Sequence, residues 1–126
     1  MTGSLTLIRG VSGSGKTTLA RKLQGAYGAS YSIIEADQYF THADGTYNFD
    51  ASKLMEAHAH CLQRTKDLLA MGQDVIVSNT FTRKWEMAEY LKLCPNAQII
   101  ICQGRFENTH GVPPDAVARQ LARFEY

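Results

Sequence analysis

Gly10-Val11-Ser12-Gly13-Ser14-Gly15-Lys16-Thr17 is the stretch that decides the fold. It satisfies GxxxxGK[ST] in full, and it follows an apolar run, Leu5–Arg9, that reads as a strand. Behind it, Gly15–Gln24 reads as a helix with Leu19, Ala20 and Leu23 facing inward. Each residue type in the stretch has a physical reason. Glycines let successive backbone N–H groups converge on an anion, and the helix that follows turns its positive end toward it. Lys16 is expected to reach the β- and γ-phosphates, Thr17 to ligate magnesium and Thr18 to support the α-phosphate. The nucleotide-binding set is therefore Gly10, Ser12, Gly13, Ser14, Gly15, Lys16, Thr17 and Thr18. The expected ligand is a purine nucleoside triphosphate with Mg2+: ATP, with GTP as the alternative.

Outward from this loop the chain alternates strands and helices. Tyr31–Ala36 reads as a strand closed by Asp37, and a polar segment with an Asp44-Gly45 turn follows. Asp50 is placed to cap a long helix that Gly72 ends, with Leu54, Cys61, Leu68 and Leu69 as its apolar stripe. Asp74–Val77 begins a third strand ending near Asn79, and Thr82 is placed to cap a helix carrying Trp85, Ala88 and Leu91 that Pro95 ends. Ala97–Cys102 is a continuous apolar run, as in a strand covered on both faces. A last helix is expected from about Pro114 to Phe124. This order predicts an α/β, three-layer fold around the P-loop: a small, mostly parallel sheet flanked by helices, in one domain spanning 1–126.

The chain has 126 residues, 44% apolar and 20% charged, with a net charge of +1. That excludes the strongly basic profile of a non-specific duplex binder, but not a short strand held at few phosphates. No apolar run approaches the roughly 20 residues of a membrane span, and nothing at the N-terminus reads as a secretory signal. Cys61, Cys94 and Cys102 are odd in number and lack CxxC spacing, which predicts free thiols in a cytoplasmic protein with no structural metal.

Phosphoryl transfer needs an acceptor base, a metal site and a cation for the transferring group. Asp37, on the ligand-binding edge of a parallel sheet, is the expected base; a solvated strand-end carboxylate is the competing reading. Glu35 has no clear place. Strand three ends Val77-Ser78-Asn79-Thr80 without the acid of a motor ATPase, which favours a small kinase. Arg119 and Arg123 share a helix face, and Arg105 precedes that helix, so the lid arginine is sought among these three. Arg83 and Lys84 read as surface charge. His58 reads as a core histidine, and a His58/His60/Cys61 zinc site is not expected because residues two apart do not share a helix face.

Four blocks carry a resemblance: Arg9–Ala20; Ala36–Phe40 with Tyr47-Asn48-Phe49-Asp50; Val75–Glu86; and Asn108–Pro113 through Arg123-Phe124-Glu125. Together they resemble the small polynucleotide-kinase-like P-loop kinases of phages and bacteria, often labelled only as ATP-binding or AAA-family proteins. The resemblance implies a P-loop NTPase fold of kinase type, with Asp37 at the catalytic acid position. It also implies that Asn79 and Thr80 belong to a substrate-side segment, and that a lid lies within about 104–124. Three departures bear on the acceptor. Ser78-Asn79-Thr80-Phe81 stands for a frequent DNTN, Gln38 for a second acid, and Tyr39 and Phe40 where an arginine grips the substrate phosphate. The acceptors in play are a single-stranded nucleic-acid 5′-end and a small hydroxyl metabolite such as a nucleoside or sugar. A binding module with little turnover is the reading outside enzymes.

Overall fold

The computed structural model describes residues 3–27, 31–40, 45, 50–103 and 114–126. Asp44, Tyr47–Phe49, Arg105 and Asn108–Pro113, with His110, lie outside the described residues. Four strands, β1 (Leu5–Arg9), β2 (Tyr31–Ile34), β3 (Asp74–Asn79) and β4 (Gln98–Ile101), form one parallel sheet in the order β2-β3-β1-β4. The helices are α1 (Lys16–Tyr27), α2 (Leu54–Ala70), α3 (Ala88–Leu93) and α4 (Pro114–Arg123), with 3-10 turns at Ala36–Phe40, Ala51–Lys53 and Lys84–Met87. The central pair registers Leu5 with Val75 and Arg9 with Asn79, so the phosphate loop and the end of β3 leave the same edge.

The alternation of side chains across β1 and β3 divides the core. Leu5, Leu7, Val75 and Val77 pack with Ala57, Cys61 and Leu69 of α2 and with Met87 and Tyr90, whereas Ile8 and Ile76 meet Ala20 of α1 on the other face. Both central strands are thus buried along nearly their whole length because each face is covered. On α2 the buried residues are Ala57, Cys61, Thr65 and Leu69, four apart along one stripe. Asp50 caps the 3-10 turn ahead of α2 rather than the helix itself: its carboxylate accepts the Ser52 N–H and hydroxyl at 3.0 and 2.7 Å, and α2 begins after Lys53 with no side-chain cap. Its end turns at Gly72, which holds φ 83°, in the left-handed region open to glycine.

Three further local expectations are corrected. Leu54 is 40% exposed, so the stripe of α2 starts a turn later, at Ala57. The fourth strand is not covered on both faces: β4 pairs with β1 alone among the described strands, and Ile99 is 43% exposed at that edge. Trp85 lies in a 3-10 turn ahead of α3, and the N–H that opens this turn is capped by Glu86 rather than Thr82. The Glu86 carboxylate accepts the Arg83 N–H at 3.2 Å and the Thr82 hydroxyl at 3.1 Å.

Candidate active site

At the carboxyl edge of the sheet the chain leaves β1 through Gly10, whose N–H donates to the Thr80 carbonyl at 3.1 Å. A Cβ on Gly10 would stand 2.4 Å from the Ser14 Oγ and 2.7 Å from the Cys102 carbonyl, so only glycine fits. Gly13 and Gly15 hold φ 80° and 94°, and the left-handed steps curl the loop over the start of α1. Ser14 is buried with its hydroxyl unpartnered among the described residues. Thr18 is exposed in the first turn of α1. The Lys16 ammonium lies along the loop and donates to the Val11 carbonyl at 3.0 Å.

Two carboxylates act on this lysine through their charge. Desolvation pulls the Lys16 pKa below its ordinary 10.5, and the charges of Asp37 and then Glu35 oppose that fall. Asp37 sits in the 3-10 turn that follows β2. The Asn79 side chain fastens that turn by accepting the Ala36 N–H at 2.8 Å, while its amide group approaches the Cys61 Sγ at 3.5 Å. Asn79 is 6% exposed. It therefore holds the Asp37 turn from behind instead of lining open space, while Thr80 is half-buried and lends its carbonyl to Gly10. Glu35 accepts the Thr17 hydroxyl at 3.0 Å. A threonine hydroxyl and a carboxylate are hard oxygen donors, the set that magnesium takes, and the loop amides beside them suit phosphates. The residues present fit a magnesium nucleotide.

The lid arginines stand differently. Arg119 pairs with Asp115 at 3.1 Å on the exposed face of α4, an i,i+4 surface pair worth little. Arg123 is exposed and forms no ion pair among the described residues. The residue of α4 that meets the loop is Gln120, whose side-chain oxygen accepts the Ser12 N–H at 2.8 Å. Below the loop, Arg9 is 1% exposed. Its guanidinium donates to the Phe81 carbonyl at 3.0 and 2.7 Å, to the Thr82 carbonyl at 3.5 Å and to the Glu125 carbonyl, and it lies 4.4 Å from the centre of the Phe124 ring. Phe81 turns that carbonyl toward Arg9 with φ 42°, a left-handed conformation that is unusual for a bulky residue. A cleft of about 130 Å³ beside Val11 is lined by Cys102, Gln103, Leu121, Phe124 and Tyr126, among others.

Beside Asp37, Gln38 donates to the Ile33 carbonyl at 3.0 Å and accepts Arg64 of α2 at 3.1 Å. Tyr39 donates to Glu56 at 2.9 Å and packs on His60 with ring centres 5.3 Å apart, while Phe40 is buried. Sequence reasoning missed Glu35, Gln120 and the role of Arg9. Only Arg9 carried a signal, since a charge at the end of a strand this apolar requires buried partners.

The sequence matches the AAA domain family over residues 5–109, and the chain belongs to that family as a P-loop kinase-like domain. Human NEDD4-binding protein 2 is 32% identical over 135 aligned residues, which cover 96% of this chain but only 8% of that protein. Among solved structures, the Pnkp1/Rnl/Hen1 RNA repair complex aligns with a TM-score of 0.69 at 13% identity, over 97% of this chain and 44% of that one. A gluconokinase from Sinorhizobium meliloti 1021 aligns at 0.66 with 19% identity, over 99% and 76%. Mycobacterium tuberculosis APS kinase CysC in complex with AMPPNP and APS aligns at 0.59 with 19% identity, over 94% and 68%. These likenesses establish the P-loop kinase-like fold: a four-stranded parallel sheet flanked by helices. No helix among the described residues is long and apolar enough to cross a membrane.

Proposed function

We propose that this protein transfers the γ-phosphoryl group of ATP to a hydroxyl, with the 5′-hydroxyl end of a polynucleotide as the leading acceptor. The observation that carries the reading is the phosphate loop with Glu35 accepting the Thr17 hydroxyl at 3.0 Å and Asp37 in the turn after β2, both near enough for their charges to act on Lys16. In this reading the chain acts as one unit. The loop amides and Lys16 hold the β- and γ-phosphates, and Asp37 takes the proton of the attacking hydroxyl as the bond to the ADP oxygen breaks. Thr17, with Glu35 behind it, would hold magnesium, which supplies charge neutralisation between the β- and γ-oxygens. Arg123 or Arg119 turns toward the transferring group as α4 closes, and the cleft beside Val11 receives the base.

The fold shared with a gluconokinase favours one second reading, a small-metabolite kinase. Phosphate transfer from labelled ATP to 5′-hydroxyl oligonucleotides and to a panel of nucleosides and sugars separates the two. Asp37→Asn is expected to lower turnover by about 10²–10⁴-fold while nucleotide affinity stays within a few-fold. Wild-type turnover in that variant would remove Asp37 as the base. Nucleotide binding with no transfer to any acceptor would favour a regulatory module.

A further inference from the structure

Trp85 is the chain's single tryptophan, and it stands 72% exposed. Its turn is not loose. Glu86 holds both the Arg83 N–H and the Thr82 hydroxyl, and Met87, two residues on, is 4% exposed in the core, so the turn anchors inward while the indole faces out. Between Thr80 and Gln98 no other large apolar side chain is exposed. A single exposed ring flanked in the chain by charged residues is not by itself the contiguous apolar patch of a protein interface.

Two cations, Arg83 and Lys84, precede Trp85 in the chain, while Glu86 follows it and the Glu125 carboxylate accepts the Lys84 N–H at 2.9 Å. Arg83 makes only a long pair with Glu125, 3.9 Å with both side chains 43% exposed, and Lys84 forms no ion pair among the described residues. The nearest acid on α3, Glu89, is paired with Lys92 at 3.0 Å. The strip also begins at the site. Asn79 holds the turn of Asp37, and Thr80 holds Gly10, so the residues that follow lead outward from between the base and the phosphate loop.

The geometry points to Arg83, Lys84 and Trp85 as a binding strip for single-stranded nucleic acid, with a base stacked on the indole and the phosphodiesters against the two cations. This rests on the polynucleotide reading above and locates the strand that trails away from the phosphorylated end. Stacking on an aromatic platform tolerates any base, so the strip gives affinity without sequence preference. A phosphate at Arg83 competes with a weak exposed pair, while the Glu125 carboxylate keeps its bond from the Lys84 N–H at 2.9 Å.

Because the tryptophan is unique, its fluorescence reports the strip directly. The whole chain is titrated with a short single-stranded 5′-hydroxyl oligonucleotide, and phosphorylation of the same oligonucleotide is measured in parallel. Saturable quenching is expected, with a log K against log salt slope near about −1.4 for two single-strand phosphate contacts, and Lys84→Ala should flatten that slope by about 0.7. Trp85→Ala should raise the KM for oligonucleotide about 5- to 150-fold with kcat little changed, and Trp85→Phe should recover most of it. Phosphorylation without quenching, at a KM that Trp85→Ala does not move, overturns the strip and leaves the function standing. Quenching without phosphorylation supports the strip and removes the function. Neither signal, with transfer to a small hydroxyl compound instead, overturns both.

Discussion

Helices α2 and α4 are both amphipathic in sequence, yet they are held in opposite ways. Ala57, Cys61, Thr65 and Leu69 of α2 are all buried against the sheet, whereas no residue of α4 is buried. What keeps α4 over the phosphate loop is a small set of specific contacts. Gln120 bonds the Ser12 N–H, and Leu121 lines the cleft beside Val11. Just past the helix, Phe124 lies against Arg9, and the Glu125 N–H bonds the Thr82 carbonyl. An element with little buried apolar surface opens at low free energy, and one in the core opens only with the whole domain. The comparison therefore separates the part of the molecule packed into the core from the part held over the phosphate loop by a few contacts.

The largest expected effect tests the core side. Leu69→Ala should cost about 2–5 kcal/mol of stability in a denaturant melt. If α2 only props the sheet, nucleotide affinity per folded molecule should not change. Arg9→Met comes next, because it leaves the Phe81 and Glu125 carbonyls without their donor; about 1–3 kcal/mol is expected. Hydrogen exchange should then speed up in α4 well before it does in α2. Equal acceleration in both helices would erase the distinction between them. Gln120→Ala should have a smaller effect, about 0.5–1.5 kcal/mol. It should be felt mainly as faster exchange in α4, with the melting temperature lower by only a few degrees, and a fall as deep as that of Leu69→Ala would place α4 in the core instead. The smallest effect is on Lys16, whose pKa is lowered first by burial. If α4 helps to shield the loop, Gln120→Ala lets water in and the Lys16 titration, followed by NMR at its Cε, moves upward toward 10.5. A downward movement would show that the helix leaves Lys16 no drier.

The two helices also differ in how much of them could be read beforehand. For α2, the spacing of Cys61 and Leu69 and the stop at Gly72 place the helix and most of its inner face, and only Leu54 misleads, since it sits at the exposed first turn. For α4 the extent is legible from Pro114 onward, but attention goes to Arg119 and Arg123 because charge is what sequence advertises. The contact is made by Gln120, an uncharged residue whose importance lies in one N–H that it happens to reach. Asn79 gives a similar lesson. A position that the resemblance sets in a substrate-side segment also holds the Ala36 N–H, because the end of β3 passes beside the turn after β2.

The sequence by itself determined the phosphate loop, the β/α order and the parallel sheet, because glycine spacing and hydrophobic period are local properties of the chain. It also singled out Asp37, since the end of a strand in such a sheet lies on the ligand edge wherever the helices fall. Only the tertiary structure decided that Glu35 meets Thr17, that Arg9 binds the carbonyls of Phe81 and Glu125, and that Trp85 faces outward. Each of these depends on segments as much as 116 residues apart arriving at the same edge. Which side chain meets which is then settled by packing and by the need to partner buried polar groups, and no local pattern in the chain encodes that.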